Sequence, residues 1–147
     1  MDASYRIKEK LGTKILEWKE NSSRRVFFGI DKRDVLETVE FLFRDLGLRF
    51  STATGIDTPK DFEIIYHFSL DKTGQFYSLR VSVEDKEHPE IDSIARLFPG
   101  AEWIEREIWE MLGINFKGHP NLKRLLLADD WPENEYPLRQ KKEPDVS

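Results

Sequence analysis

The chain has 147 residues, a formal net charge of −5 and no cysteine. This length predicts one domain of ordinary size, able to bury about 68–70 % of its unfolded surface. The lack of cysteine excludes disulfides, thiolate nucleophiles, thiolate zinc sites and the usual iron–sulfur ligation. The acidic balance argues against a general nucleic-acid binder. No apolar stretch is long enough for a membrane span or a signal-peptide core, so a soluble, cytoplasmic chain is expected.

The N-terminal third predicts a helix, a strand and a second helix. A strand is predicted at 24–30, where apolar residues alternate. Asp31 then predicts a helix start, and Gly47 predicts its end. The first helix is expected at 5–18 and fits either packing on its own sheet or an amphipathic arm for a partner. One face of it carries four large apolar residues: Ile7, Leu11, Ile15 and Trp18.

Three strands are predicted in the middle of the chain, at 48–54, 62–70 and 76–84. In the second and third, large apolar residues alternate with polar ones. The turn Asp71–Gly74 joins these two strands, with glycine where a left-handed conformation is needed. The pattern predicts a hairpin.

The last predicted elements are two helices and an extended tail. Pro89 is expected to open a short helix that ends at Pro99, and a second helix should end at Gly113. The element order predicts an α+β fold: a small mixed or antiparallel four-stranded sheet with helices packed on it. Residues 1–113 form the predicted head domain, and residues 114–147 form a predicted extended, partner-binding tail.

Residues capable of chemistry are present but are not arranged for it. The three histidines, His67, His88 and His119, lack ligand-like spacing. No phosphate-binding glycine loop and no Gly-x-Ser-x-Gly elbow occurs in the sequence. We therefore predict no catalytic, cofactor-binding or metal-binding residue. Four helix acids are interpreted as a solvated or salt-bridged face: Glu102, Glu105, Glu107 and Glu110.

Two tryptophans in the last helix are candidates for an interface. At about 100° per residue, Trp103 and Trp109 fall outside the apolar stripe that should face the core. Aromatic side chains beside charged ones are typical of contact surfaces. Packing of each tryptophan under the following tail is an equally open interpretation. The stripe itself consists of Ala101, Ile104, Ile108, Met111 and Leu112.

The segment from Trp103 to Arg139 contains a recognisable motif. Its residues are, in order, Glu105, Arg106, Glu107, Trp109, Glu110, Met111, Gly113, Phe116, Gly118, His119, Pro120, Leu122, Arg124, Leu126, Pro137, Leu138 and Arg139. This string resembles the signature of the 30-kilodalton subunit family of NADH:quinone oxidoreductase (respiratory complex I). The same family includes the counterpart subunit of membrane-bound, energy-converting nickel–iron hydrogenases and related complexes.

Some residues depart from the family pattern. Glu110 stands where aspartate is usual, Lys123 where arginine is common, and Gln140-Lys141 where Lys-Asp is frequent. The chain also ends soon after Arg139, which favours the hydrogenase-like branch of the family. A compact respiratory subunit remains compatible with the motif.

The resemblance implies a non-catalytic structural subunit without a cofactor. It would lie in the peripheral arm of an ion-pumping redox complex, on the cytoplasmic face of the cell membrane. Its partners would be a large subunit resembling that of nickel–iron hydrogenases and the cluster-carrying small subunit, with no nucleic acid and no small-molecule substrate. The expected interface residues are Trp103, Glu105, Arg106, Glu107, Trp109, Glu110, Phe116, His119, Pro120, Leu122, Lys123, Arg124, Trp131, Pro137, Leu138 and Arg139.

Two other functional classes stay open from the sequence. One is a transient assembly adaptor or chaperone for the same complex. The other is a small soluble enzyme that uses the acidic helix and His119. Co-purification as a stoichiometric subunit would separate the first from a permanent subunit, and activity of the isolated chain would support the second.

Overall fold

The computed structural model describes residues 2–122 and 136–139, and its fold is a mixed α+β layer. The α+β prediction is confirmed, but the main sheet has five strands where four were predicted. The elements are α1 (Ala3–Leu11), β1 (Ile15–Ser22), β2 (Arg25–Asp31), α2 (Val35–Arg44), β3 (Arg49–Asp57), β4 (Phe62–Leu70), β5 (Gln75–Val83), β6 (Glu90–Asp92), α3 (Ala101–Leu112) and β7 (Asn115–Lys117).

The additional strand comes from a segment that was predicted as helix. The helix expected over 5–18 ends at Leu11, because Gly12 adopts a positive φ of 51°. The chain then forms β1, which pairs antiparallel with β2. On this hairpin the Trp18 ring packs 5.3 Å from that of Phe28. The spacing of Ile15 and Trp18 suited the helical face as well, so periodicity alone pointed to the wrong element.

The five strands lie in the order β1-β2-β5-β4-β3. Neighbouring strands are antiparallel except for β2 and β5, which are parallel. The predicted hairpin is confirmed: β4 has the predicted bounds and β5 begins and ends one residue early. Strand β3 begins one residue later and ends three residues later than predicted. It forms one outer edge of the sheet, and β1 forms the other.

One face of the sheet makes the core, and the opposite face, called the polar face here, carries most of the polar strand residues together with a few apolar ones such as Phe76. On the polar face Arg80 lies between two carboxylates, 2.6 Å from Glu17 and 2.5 Å from Glu63. On the other face the apolar residues of β2, β4 and β5 are buried together with those of α1 and α2. Each fully buried large side chain contributes roughly 1.5–3 kcal/mol of transfer free energy. The core residues of the three central strands are Val26, Phe28, Ile30, Phe62, Ile64, Tyr66, Phe68, Tyr77, Leu79, Val81 and Val83.

The helix predicted after Pro89 is wrong. Glu90–Asp92 form β6, which pairs in parallel with β7, and only a single turn follows, in which Phe98 N donates to Ile94 O at 3.1 Å. The backbone N–H of Ser93 donates to Lys117 O at 2.9 Å instead of entering a helix. A pairing with residues more than twenty positions away leaves no local signal. Ile114, which precedes β7, and Phe116 within it are buried in the same core, although the sequence predicted both in the extended tail.

Candidate partner-binding site

Helix α3 positions most of the motif residues. It begins after Pro99-Gly100 and ends where Gly113 adopts a φ of 80°, so that its N–H donates to Trp109 O at 2.7 Å. Ala101, Ile108 and Leu112 are buried, which confirms the core-facing side of the predicted stripe. Buried residues also occur on other sides of this helix. Only a narrow part of α3 therefore reaches solvent.

The helix acids, interpreted as a solvated or salt-bridged face, are not all solvated, because two of the four are buried. Glu105 is 1 % exposed and Glu110 is 2 % exposed, whereas Glu107 is exposed. Glu105 accepts hydrogen bonds from Ser93 Oγ at 2.5 Å and from Ile94 N at 3.0 Å. Burial nevertheless raises the pKa of Glu105 to about 7, because desolvation of the carboxylate outweighs these two bonds. The carboxyl group fixes the chain after β6 against α3.

The exposed part of α3 is a short surface that begins at a tryptophan. Trp103 is 55 % exposed, and Glu107, one turn later, is exposed as well. Ile104 and Met111 lie half-buried beside them. The second candidate, Trp109, is half-buried and packs against the core.

Arg106 is a buried cation on the same helix. It is 8 % exposed, and its guanidinium lies 6.0 Å from the centre of the Trp103 ring. A cation at that distance from an aromatic face is attracted to it by about 0.5–1 kcal/mol. The Arg106 guanidinium therefore helps to hold the Trp103 ring in its orientation.

Both ring nitrogens of the motif histidine, His119, make hydrogen bonds within the chain. His119 Nε2 lies 2.9 Å from Glu102 O, and Asn121 N donates to His119 Nδ1 at 3.0 Å. These contacts assign the proton to Nε2, and they hold the turn after β7 against the first turn of α3. Pro120 is exposed and Leu122 is half-buried.

The described residues near the C-terminus fold back onto the end of α3. Leu138 N donates to Met111 O at 3.0 Å, and Arg139 Nε donates to Leu112 O at 2.5 Å. The Arg139 guanidinium also lies 4.6 Å from the Tyr136 ring centre and 5.2 Å from that of Phe62. We call Tyr136, Leu138 and Arg139 the C-terminal clasp. It satisfies carbonyl groups that the end of a helix leaves without partners.

The clasp and its neighbour Pro137 present two residues to solvent. Leu138 is 60 % exposed, and Pro137 is exposed. Gly113 lets the clasp approach, since a Cβ there would lie 2.6 Å from a ring carbon of Tyr136. Lys123, Arg124 and Trp131, which the motif also predicts for the interface, lie outside the described residues.

A groove runs between β3 and α3 and ends at the clasp. Its volume is about 320 Å³. It could not be predicted from the sequence, because it depends on how one helix lies against one strand. In the sequence, only the small residues Ala53 and Gly55 indicate that another element can approach this strand closely. Its lining consists of Thr52, Ala53, Thr54, Gly55, Ile104, Glu107, Ile108, Met111, Leu112 and Leu138.

Residues 2–122 and 136–139 lack two features that would indicate other functions. This part of the chain holds no group of three or more histidine, aspartate or glutamate residues placed to bind a metal ion. None of its helices is long and apolar enough to cross a membrane.

Two solved structures have a similar fold, one of them from an archaeal respiratory membrane complex. A chain in the structure of the membrane-bound sulfane sulfur reductase, an archaeal respiratory membrane complex, superposes with a TM-score of 0.82 at 21 % identity, over 92 % of this chain and 81 % of that one. A trypsin-resistant fragment of Nqo5 superposes with a TM-score of 0.69 at 21 % identity, over 83 % of this chain and 100 % of the fragment. At such identities the likeness concerns the fold.

Several sequence relatives are single subunits of NADH-quinone oxidoreductases. The protein from Chelativorans sp. (strain BNC1) is 32 % identical over 95 % of this chain, and that from Chloroherpeton thalassium is 36 % identical over 95 %. The protein from Ruegeria pomeroyi is 40 % identical over 73 %. The chain spans 70 %, 59 % and 54 % of these three proteins, respectively. The family model for the respiratory-chain NADH dehydrogenase 30 Kd subunit matches residues 28–145, and the chain belongs to that family.

Proposed function

We propose that the chain is a non-catalytic structural subunit of the peripheral arm of a membrane-bound, ion-pumping redox complex. The parent complex is a complex I-like dehydrogenase or an energy-converting hydrogenase. In this proposal the chain lies on the cytoplasmic face of the membrane and docks on the large, hydrogenase-like subunit, close to the cluster-carrying small subunit. Its family membership and its resemblance to the archaeal respiratory complex chain support this assignment.

The exposed Trp103 is the observation that carries the docking proposal. It is 55 % exposed on a helix that is otherwise largely buried, and the exposed Leu138 lies near the other end of the same helix. The part of Trp103 that is exposed to solvent contributes no burial free energy in the monomer, whereas tryptophan is among the residues that dominate binding energy at interfaces. The acidic Glu107 beside it would give the contact a charged rim.

The polar groups of the motif support a structural role. Both ring nitrogens of His119 make contacts within the chain, and both carboxylate oxygens of Glu105 accept hydrogen bonds from the segment after β6. Groups engaged in this way hold elements together. A general acid or base must instead reach a substrate.

Replacement of Trp103 by alanine tests the docking face. We expect the large subunit to bind the Trp103→Ala chain roughly 30-fold more weakly, the effect of losing an anchor worth ~2 kcal/mol. The free energy of unfolding of the isolated chain should fall by no more than about 1 kcal/mol, the size of the contact between Trp103 and Arg106. Affinity would be measured by titrating the purified large subunit, and stability by urea unfolding.

Phe76→Ala is the matched control. Phe76 is 49 % exposed, but it lies on the polar face of the sheet, away from α3. Its replacement should leave large-subunit binding unchanged. Equal binding by wild type and Trp103→Ala would contradict the assigned docking face. A one-to-one ratio with the large subunit after membrane solubilisation would separate a permanent subunit from a transient adaptor.

A further inference from the structure

The groove between β3 and α3 runs along the edge of the sheet. Its wall includes four consecutive strand residues, from Thr52 to Gly55. Successive side chains of a strand point to opposite faces, so a groove that touches four in a row must follow the strand's edge. Within the described residues, β3 has a neighbouring strand on one side only. The groove therefore exposes backbone as well as apolar side chains.

Alternation of hydrogen bonds identifies which backbone groups face the groove. Thr58 N donates to Asp61 O at 2.9 Å, while Asp61 N donates to Thr58 Oγ1 at 3.1 Å, so the 58/61 pair at the hairpin end stands in the hydrogen-bonded position. In an antiparallel ladder such pairs alternate with pairs that exchange no bonds. Counting along the observed register, the pairs of Ala53 with Tyr66 and of Gly55 with Ile64 are of the second kind. The N–H and C=O groups of Ala53 and Gly55 consequently point away from β4, toward the groove.

The two edges of the sheet differ in how they are protected. The outer strand β1 carries Glu17, Lys19 and Glu20 and has two register irregularities, which are devices that discourage strand addition. Residues 50–56 of β3 contain no charge and no proline, despite one irregularity near Phe50. An unprotected edge of this kind is a template for a further strand.

The groove is narrow and lined by small residues where the strand passes α3. A Cβ on Gly55 would lie 2.9 Å from Leu112 Cδ1 and 3.0 Å from Ile108 Cγ2. The groove has a volume of about 320 Å³, at the lower end of the range of small-molecule pockets, roughly 300–1,000 Å³. Alternate side chains of an extended peptide suit this shape better than a bulky ligand does.

We propose that an extended segment of the large subunit occupies this groove and adds to β3 as a sixth strand. The segment would exchange backbone hydrogen bonds with Ala53 and Gly55 and place alternate apolar side chains against Ile104 and Met111. Glu107 lines the groove, is exposed and forms no ion pair with the other described residues, so the segment should carry a lysine or arginine there. This inference rests on the proposed function and adds the form of the partner.

Amide hydrogen exchange provides a test that is specific to strand addition. In the free chain the amide hydrogens of Ala53 and Gly55 should exchange quickly, while those of Thr52 and Thr54, bonded to β4, exchange slowly. In the complex with the large subunit all four should be slow, with exchange of the first two reduced at least tenfold. Continued rapid exchange of Ala53 and Gly55 in the complex would overturn the proposal.

A pair of substitutions at one position tests the same backbone contact. Ala53→Pro removes the outward N–H, and Ala53→Gly keeps it. Proline is tolerated on an edge strand when its missing N–H faces away from the sheet. We expect Ala53→Pro to bind the large subunit roughly tenfold more weakly than Ala53→Gly, the effect of one lost hydrogen bond. Equal affinity of the two variants, both shown to be folded by circular dichroism, would count against strand addition.

The outcomes separate this inference from the proposed function. If no complex with the large subunit forms, the proposed function fails and the strand addition fails with it. If a complex forms and depends on Trp103, but the amides of Ala53 and Gly55 stay unprotected, only the strand addition is refuted.

Discussion

Glu105 is an acidic residue of the motif whose buried side chain joins α3 to the segment after β6. Its carboxyl group is 1 % exposed and is held by Ser93 and by the backbone of Ile94. Because burial raises its pKa to about 7 from an ordinary value of 4.5, the unfolded chain releases this proton at lower pH than the folded chain does. Stability is therefore greatest below about pH 4.5 as far as this group is concerned. It falls as the pH rises to about 7 and is constant above that.

We predict that Glu105→Gln removes this dependence. The shift corresponds to about 3 kcal/mol over the whole range, and about 2.5 kcal/mol of it falls between about pH 5 and about pH 8. As the pH rises from about 5 to about 8, the wild type should lose about 2.5 kcal/mol of unfolding free energy that the variant keeps. Urea unfolding at both pH values would measure it, with the exposed Glu107→Gln as control. If the difference in unfolding free energy between wild type and Glu105→Gln is the same at both pH values, Glu105 is already ionised in the folded chain at the lower one.

Arg139 gives a second prediction at this scale. The motif places it at a partner interface, while the structure shows it donating to Leu112 O and stacking near Phe62 and Tyr136. Arg139→Ala should lower the free energy of unfolding by about 1–3 kcal/mol, because a charged hydrogen bond and a helix cap are lost together. Arg139→Lys should recover part of it, since lysine keeps the charge but not the planar group. Urea unfolding that is the same for all three proteins would show that the clasp contributes nothing in solution.

At the scale of elements, the contact of β3 with α3 depends on a glycine. Gly55→Ala should destabilise the head by about 1–3 kcal/mol, because its Cβ would overlap Leu112 and Ile108. Gly100→Ala is the matched control: an added Cβ meets nothing within 4 Å, and φ is −63°. That substitution should be neutral or stabilising by up to about 1 kcal/mol. Thermal unfolding should therefore show a lower midpoint for Gly55→Ala alone; equal shifts would contradict the close approach at Gly55.

Elements with a strong local signal were predictable from the sequence. The β4–β5 hairpin has strict alternation and a glycine turn, and its predicted bounds were within one residue. Helix α3 ends at Gly113, as predicted, because the chain there takes a left-handed conformation that glycine favours. In both cases neighbouring residues along the chain determine the conformation.

Elements that depend on distant partners were not predictable. β6 pairs with β7 more than twenty residues later, and its apolar spacing imitated a helix. β1 suited a helical face as well as a strand. In the candidate site, the exposure of Trp103 agrees with its place outside the core stripe, but the burial of Glu105 does not follow from the sequence. That burial depends on Ser93 and Ile94, which fold against α3 only in three dimensions.

At the scale of the whole molecule, stability should be unevenly distributed over the sheet. β2, β5 and β4 are flanked by strands on both sides, while β1 and β3 are edges. We predict that amide exchange of the isolated chain is slowest in the three inner strands and faster in the edge strands, since opening an edge disrupts fewer contacts. Residue-resolved exchange by NMR would measure this order. Uniform exchange across all five strands would instead indicate that the head opens only as a whole.

The parallel pairing of β2 with β5 has a consequence for how the molecule is made. Val26 pairs with Tyr77 and Ile30 with Val81, so the partner strand is synthesised about fifty residues later. At roughly 5–20 residues per second, the apolar strand β2 leaves the ribosome several seconds before β5 can cover it. Such a high sequence separation also slows folding, because the chain must close a long loop before the contact stabilises it. Production of this chain should therefore depend on chaperones that shield an unfinished sheet during translation.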